Sequence, residues 1–139
     1  MLDRYSESAK TLVLVAIILQ VVFSLIAVFI YAAVFAVVPA TTIGPGGTTV
    51  STGFPAAGLF IVLASVFGGI GLLWILLDYF LLYKKIADGR IEETDTTSLV
   101  LGILQLLFGG LIPGILILVA HGKIGDAINN KLRNPESAV

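Results

Sequence analysis

The stretch TLVLVAIILQVVFSLIAVFIYAAVFAVV, Thr11–Val38, decides the fold class of this chain. It contains no charged side chain, and as a helix it would extend about 42 Å, more than the roughly 30 Å hydrocarbon core of a bilayer. The whole chain of 139 residues is 58% hydrophobic and 12% charged, with a mean hydropathy of +1.06. Soluble domains carry about 25% charged residues. The composition therefore indicates an integral membrane protein.

Two further apolar runs follow the first, and each is long enough to cross a bilayer. The predicted spans cover residues 11–38, 55–83 and 97–120, with an outer loop over 40–54 and an inner loop over 84–95. After the third run, Ile124, Ile128 and Leu132 recur every four residues, which predicts an interfacial helix over about 122–133. The alternative, equally favoured, is a solvated extension of the third helix. The predicted fold is all-α: a single transmembrane domain, 1–139, of three helices plus a short C-terminal amphipathic helix.

The basic residues orient the spans, since Lys and Arg favour the cytoplasmic side. Arg4 and Lys10 precede the first span, and Lys84, Lys85 and Arg90 lie in the loop over 84–95, whereas the loop over 40–54 carries no charge. We therefore expect a multi-pass protein of the cell membrane with a cytoplasmic N-terminus and the loop over 40–54 outside.

The third apolar run has two interpretations. As one kinked span it places the C-terminus outside, together with three basic residues of the tail, Lys123, Lys131 and Arg133. A break at Gly109-Gly110 would instead give a re-entrant hairpin and return the tail inside. Half-helices of about ten residues reach only about 15 Å and cannot cross alone. The single kinked span over 97–120 is therefore the favoured prediction.

Each span has a stripe of small residues that includes one polar side chain: Gln20, Asp78 and Gln105 in chain order. Measured from the nearest charged boundary, Gln20 and Gln105 lie about 15 Å deep and Asp78 about 9 Å. We expect the three to form one polar cluster in the cytoplasmic half. An ion or proton relay centred on Asp78 is the functional interpretation. The favoured structural alternative is that Asp78 extends towards the interface or is neutralised by hydrogen bonds from both glutamines.

Small residues allow the backbones of membrane helices to approach closely. The stripes therefore also predict the helix-packing positions. These positions are Ala64, Gly68, Gly71, Gly102, Gly109, Gly110 and Gly114.

Several classes of function are excluded or disfavoured. Cysteine is absent and there is one histidine, so neither a metal site nor a cofactor is expected. The net charge of −1 and the lack of a basic block argue against binding to nucleic acid. An enzyme is not expected, because no nucleophile is paired with a base.

The stretch YKKIADGRIEETDTTSLVLGILQLLFGGLIPGILILVAHGKIGD, Tyr83–Asp126, resembles the ending of small multi-spanning membrane proteins of archaeal type. In that group a charged loop precedes a glycine-punctuated span and a short polar tail. The resemblance implies a membrane protein and carries over no activity and no site residues. The long first span would suit a thick tetraether membrane.

The function expected from the sequence is that of a non-enzymatic accessory or scaffolding subunit of a larger membrane complex or homo-oligomer. Its expected partners are membrane lipids and other transmembrane subunits or copies of itself. One alternative is a small oligomeric channel or transporter-like protein that uses Asp78. Another is a structural subunit of a membrane-derived particle or filament.

Overall fold

The computed structural model describes residues 3–37, 41–43, 46–47, 49–51 and 53–135, and most of them are helical. In chain order the elements are α1 (Arg4–Val37), β1 (Thr41–Ile43), β2 (Thr49–Ser51), α2 (Gly53–Leu77), a π-helical segment (Asp78–Tyr83), α3 (Lys84–Ala87), a 3-10 turn (Ile91–Thr94), α4 (Asp95–Leu104), a second π-helical segment (Gln105–Gly109) and α5 (Leu111–Arg133).

Three helical stretches are long and apolar enough to cross a membrane: Arg4–Val34, Gly58–Ala87 and Leu111–Arg133. The prediction of an all-α protein with three such helices is confirmed. The first two stretches correspond to the predicted spans over 11–38 and 55–83. The third begins fourteen residues later than the span predicted over 97–120, because that run is divided between two helices.

The division falls at Gly110, whose φ of +136° ends one helix before the next begins. Only glycine adopts such a backbone conformation readily. Beyond this residue α5 runs back along α4, since a Cβ added to Gly102 would meet Leu118 and one added to Gly114 would meet the backbone of Leu106. The prediction of one kinked span over 97–120 is therefore wrong. The alternative, an antiparallel helical hairpin, is what the structure contains.

The predicted interfacial helix over 122–133 is not a separate element either, since α5 continues without a break from Leu111 to Arg133. Its apolar residues do not form a lipid-facing stripe. Ile124 is fully buried and Ala127 nearly so, and both belong to the protein core. Leu132, the last residue of the predicted stripe, is 75% exposed. The first two residues of the stripe, Ile124 and Ile128, therefore pack against the rest of the chain, and the third does not.

The chain divides into two compact units, and the first comprises Met1–Val21 and Gly71–Val139. Its core is formed by small and branched apolar side chains from α1, the first π-helical segment, α3, α4 and α5. The fully buried members are Ala9, Val13, Ala16, Leu82, Ile86, Ile117, Ala120 and Ile124. Small residues on α1 permit close approach of helix backbones.

Polar contacts join the ends of elements at one edge of this first unit. The Asp3 carboxylate caps α1 by accepting a hydrogen bond from the Ser6 backbone N–H, and it also accepts one from Asn130 at 3.3 Å. Partial burial alone would raise the pKa of Asp3, but these hydrogen bonds hold it below its ordinary value. Lys131 Nζ lies 2.8 Å from Glu92. The start of α1, the 3-10 turn and the end of α5 therefore meet at one edge.

The second unit, Val22–Ile70, contains the loop predicted over 40–54. Strands β1 and β2 pair antiparallel, with Thr41 opposite Ser51 and Ile43 opposite Thr49. Gly46 and Gly47, both with positive φ, lie in the turn between them. Within the same unit, the rings of Tyr31 and Phe67 stack at 5.9 Å. The rest of the loop lies outside the described residues.

Candidate functional site

The structure brings together the three polar side chains that the sequence analysis singled out within the apolar runs. Gln20 comes from α1, Asp78 is the first residue of one π-helical segment, and Gln105 is the first residue of the other. Asp78 and Gln105 are fully buried and Gln20 is 7% exposed. All three belong to the first unit. We call this group the amide–carboxylate cluster.

Four short hydrogen-bond contacts connect the cluster. Gln105 Nε2 donates to Asp78 Oδ1 and Oδ2, each at 2.6 Å. Gln20 Nε2 donates to Asp78 Oδ2 at 2.6 Å and to Gln105 Oε1 at 3.0 Å. Both amide nitrogens thus face the carboxyl group, and both carboxyl oxygens act as acceptors. This is the arrangement expected around an ionised carboxylate, which accepts hydrogen bonds and donates none.

One acceptor in the cluster has no donor. Gln20 Oε1 is buried and accepts no hydrogen bond from the described part of the chain. A buried polar atom without a partner costs about 1–3 kcal/mol. Such an atom in a native structure therefore calls for a specific explanation.

The two π-helical segments begin at cluster residues. Wide i→i+5 hydrogen bonds define them: the Lys84 N–H donates to the Tyr79 carbonyl, and the Gly110 N–H donates to the Gln105 carbonyl at 2.8 Å. A π-helical turn rotates the residues that follow it relative to an α-helix. Such turns are rare in proteins, and those that occur are often located at functional sites. Their coincidence with Asp78 and Gln105 marks the cluster as the candidate functional site.

The predicted packing positions fall into distinct groups. A Cβ added to Gly102 would lie 2.7 Å from the side chain of Leu118, and one added to Gly114 would lie 2.6 Å from the backbone nitrogen of Leu106. These two glycines therefore hold the arms of the hairpin close together. Of the other positions, Gly109 ends the second π-helical segment and Gly110 forms the turn. Ala64 and Gly71 are half-buried. A Cβ added to Gly68 would meet no atom within 4 Å.

A second polar group, not predicted from the sequence, connects the arms of the hairpin. His121 Nδ1 lies 3.1 Å from Ser98 Oγ and 3.3 Å from Asp95 Oδ1. A Ser-His-Asp relay requires the serine and the acid to contact opposite ring nitrogens. Here both contact Nδ1, and the Ser98 hydroxyl itself donates to the Asp95 carbonyl at 2.7 Å. The group therefore links the two arms and has no relay geometry. The spacing of 23 residues gives no local sequence signal for it.

No group of three or more potential metal ligands of the His, Cys, Asp and Glu types occurs among the residues that the structure describes. Comparisons of this chain with protein-family models, with curated proteins and with solved structures find no match.

Proposed function

We propose that this chain is a non-enzymatic, membrane-embedded subunit that assembles through its transmembrane helices, as an accessory or scaffolding component of a larger complex or as a homo-oligomer. The observation that carries the proposal is a contrast between two groups of glycines. Gly102 and Gly114 are enclosed by neighbouring atoms, whereas Gly58, Gly68 and Gly69 on α2 would meet nothing within 4 Å of an added Cβ.

Glycine lowers helix stability by about 1 kcal/mol relative to alanine. In membrane helices, glycine is favoured at positions where the backbone of another helix approaches closely. At Gly58, Gly68 and Gly69 no such approach occurs within the described residues, and none of the most apolar stretch of this helix is buried. Neighbouring helices from other chains would supply the missing contacts of Gly68 and Gly69. Lipid tails remain the solvent for the large exposed side chains such as Leu72 and Ile61.

Leucine at Gly68 and Gly69 together should weaken assembly, because two branched side chains would prevent a helix from approaching this surface of α2. We expect about tenfold weaker association, equivalent to a loss of ~1.4 kcal/mol. Native mass spectrometry of protein extracted gently from its membrane would measure the shift towards the isolated chain. The matched control is Val66→Leu, at a position on the same helix that is 51% exposed and lacks a small residue.

Two outcomes would contradict the proposal. In the first, the wild-type chain is an isolated monomer in the membrane. In the second, the double variant retains the same assembly as Val66→Leu. Ion flux through liposomes that contain only this chain would instead favour the channel alternative.

The proposal includes a topology in which Arg4–Val34 and Gly58–Ala87 cross the membrane and the α4–α5 hairpin begins and ends on the side of the N-terminus. Two contacts at one edge of the first unit support it: Asn130 donates to Asp3, and Lys131 donates to Glu92. A hairpin that returns the tail to the side of the N-terminus places all the basic residues on one side of the membrane, as the positive-inside rule favours. Non-helical backbone at membrane depth is tolerated only where protein or water surrounds it. Gly110 is exposed in this chain, so neighbouring subunits would have to cover the turn.

Single cysteines in this cysteine-free chain would test the topology. With a membrane-impermeant thiol reagent, Ser51→Cys should react in intact cells. Asp88→Cys and Asn134→Cys should react only after permeabilisation, because both would lie on the cytoplasmic side. Reaction of Asn134→Cys in intact cells to the extent of Ser51→Cys would show that the tail is outside and that the hairpin does not return it.

A further inference from the structure

The amide–carboxylate cluster contains a buried carboxyl group with no positively charged partner among the described residues. Asp78 is fully buried, and its described hydrogen-bond partners are the side-chain amides of Gln20 and Gln105, which are neutral. None of the ion pairs among the described residues includes Asp78. Amide dipoles orient and partly stabilise a carboxylate, but they leave its net charge in place. A buried ionised carboxylate is costly unless a positive charge accompanies it.

The same cluster also holds an oxygen without a donor. Because the oxygen and nitrogen of one amide are about 2.3 Å apart, Gln20 Oε1 lies within about 5 Å of the Asp78 carboxylate, given the 2.6 Å contact of Gln20 Nε2. The unpaired acceptor and the carboxyl group that lacks a positive partner are therefore neighbours. One species that binds oxygen and carries positive charge would satisfy both.

Rotation of the glutamine amides alone does not remove the problem. If Gln20 were rotated to place Oε1 towards Asp78, that oxygen would also face Gln105 Oε1, now 3.0 Å from Gln20 Nε2. Two acceptors at that distance repel each other. Rotation of both amides would restore the contact between the glutamines but would direct Gln105 Oε1 at both carboxyl oxygens. The orientation found in the structure therefore suits an ionised carboxylate, whereas rotation of both amides would suit a protonated carboxyl group.

We propose that Asp78 and Gln20 bind a small monovalent cation of the size of Na⁺ within the membrane-embedded part of the chain. Hard cations select carboxylate and carbonyl oxygens, which are the groups available here. A single carboxylate balances one positive charge, which favours a monovalent ion over a divalent one. Gln105 acts as a positioning residue, because its two contacts hold the carboxylate in orientation. The site does not depend on the assembly proposed above.

The first measurement uses the full chain in lipid nanodiscs. Its thermal unfolding is followed in NaCl or in choline chloride at the same ionic strength and pH. A ligand that binds only the folded state raises Tm in a concentration-dependent manner. We expect a saturable increase with Na⁺ and none with choline, together with retention of radioactive ²²Na⁺ by the purified protein.

The second measurement compares variants. Asp78→Asn should abolish the increase, and Gln20→Met, which keeps the side-chain length, should weaken the apparent Na⁺ affinity at least about tenfold. Asp126→Asn is the control, since Asp126 lies 3.6 Å from Lys123 near the end of α5, and it should behave as wild type. If Asp78→Asn does not fold, ²²Na⁺ retention by wild type and Gln20→Met decides the question.

Three results would overturn the proposal. Tm in NaCl would equal that in choline chloride, or the Na⁺ effect would persist unchanged in Asp78→Asn. In the third result, Tm would depend on pH at constant NaCl and not on Na⁺ at constant pH, which would assign the compensating charge to a proton.

Discussion

Alanine at Gly114 is expected to destabilise the α4–α5 hairpin by about 3 kcal/mol, near the upper end of the cost of overpacking. The added Cβ would lie 2.6 Å from the backbone nitrogen of Leu106 and 2.9 Å from its Cα. Backbone atoms of the second π-helical segment cannot rotate aside as a side chain does. The whole arm must therefore shift, and Gln105, one residue earlier, would shift with it.

Matched variants on the same elements separate this contact from a general effect of alanine. Gly122→Ala and Gly125→Ala have open space around the added Cβ, and we expect them to be neutral or stabilising by up to ~1 kcal/mol. Gly102→Ala should fall between these and Gly114→Ala, because the nearest atom it meets is the end of the flexible Leu118 side chain at 2.7 Å. Thermal unfolding in detergent, followed by far-UV circular dichroism, would rank the four. Equal stability of Gly114→Ala and Gly122→Ala would contradict close contact between the arms.

The members of the amide–carboxylate cluster could be identified from the sequence because two physical constraints acted together. Helical periodicity placed Gln20, Asp78 and Gln105 on stripes of small residues, and the distance from the charged boundaries placed them at similar depth. A polar side chain in an apolar run is costly to expose to lipid, so few arrangements remain. Neither constraint revealed the unpaired Gln20 Oε1, which depends on the orientation of each amide.

The hairpin could not be chosen over a single span from the sequence, because hydropathy and length describe both. Gly109-Gly110 permits a break but does not require one. The decision depends on a backbone angle at Gly110 and on contacts between residues such as Gly102 and Leu118, which are distant in sequence. The π-helical segments were equally out of reach. An apolar stripe has nearly the same composition whether one turn contains an additional residue or not.

Gln105→Leu is expected to cost about 2 kcal/mol of stability, because it removes the amide nitrogen that lies 2.6 Å from both Asp78 carboxyl oxygens and leaves that group buried with one amide partner. This exceeds the ~0.6 kcal/mol typical of hydrogen bonds between membrane helices, since Gln105 contacts both oxygens of a fully buried carboxyl group. The free energy of unfolding in mixed micelles, measured as a function of denaturing detergent, would give the value. The loss should be unchanged by Asp126→Asn, at a position away from the cluster.

A double-mutant cycle with Asp78 identifies the cause of that loss. Once Asp78→Leu has removed the buried carboxylate, Gln105→Leu should cost less than ~1 kcal/mol, because removing both partners of a buried hydrogen bond is far less costly than removing one. A coupling energy above ~1 kcal/mol is therefore expected between the two positions. Strictly additive losses would mean that Gln105 contributes through packing alone. Coupling would show that the glutamine serves the Asp78 carboxyl group, which would explain why an apolar helix contains an amide at this depth.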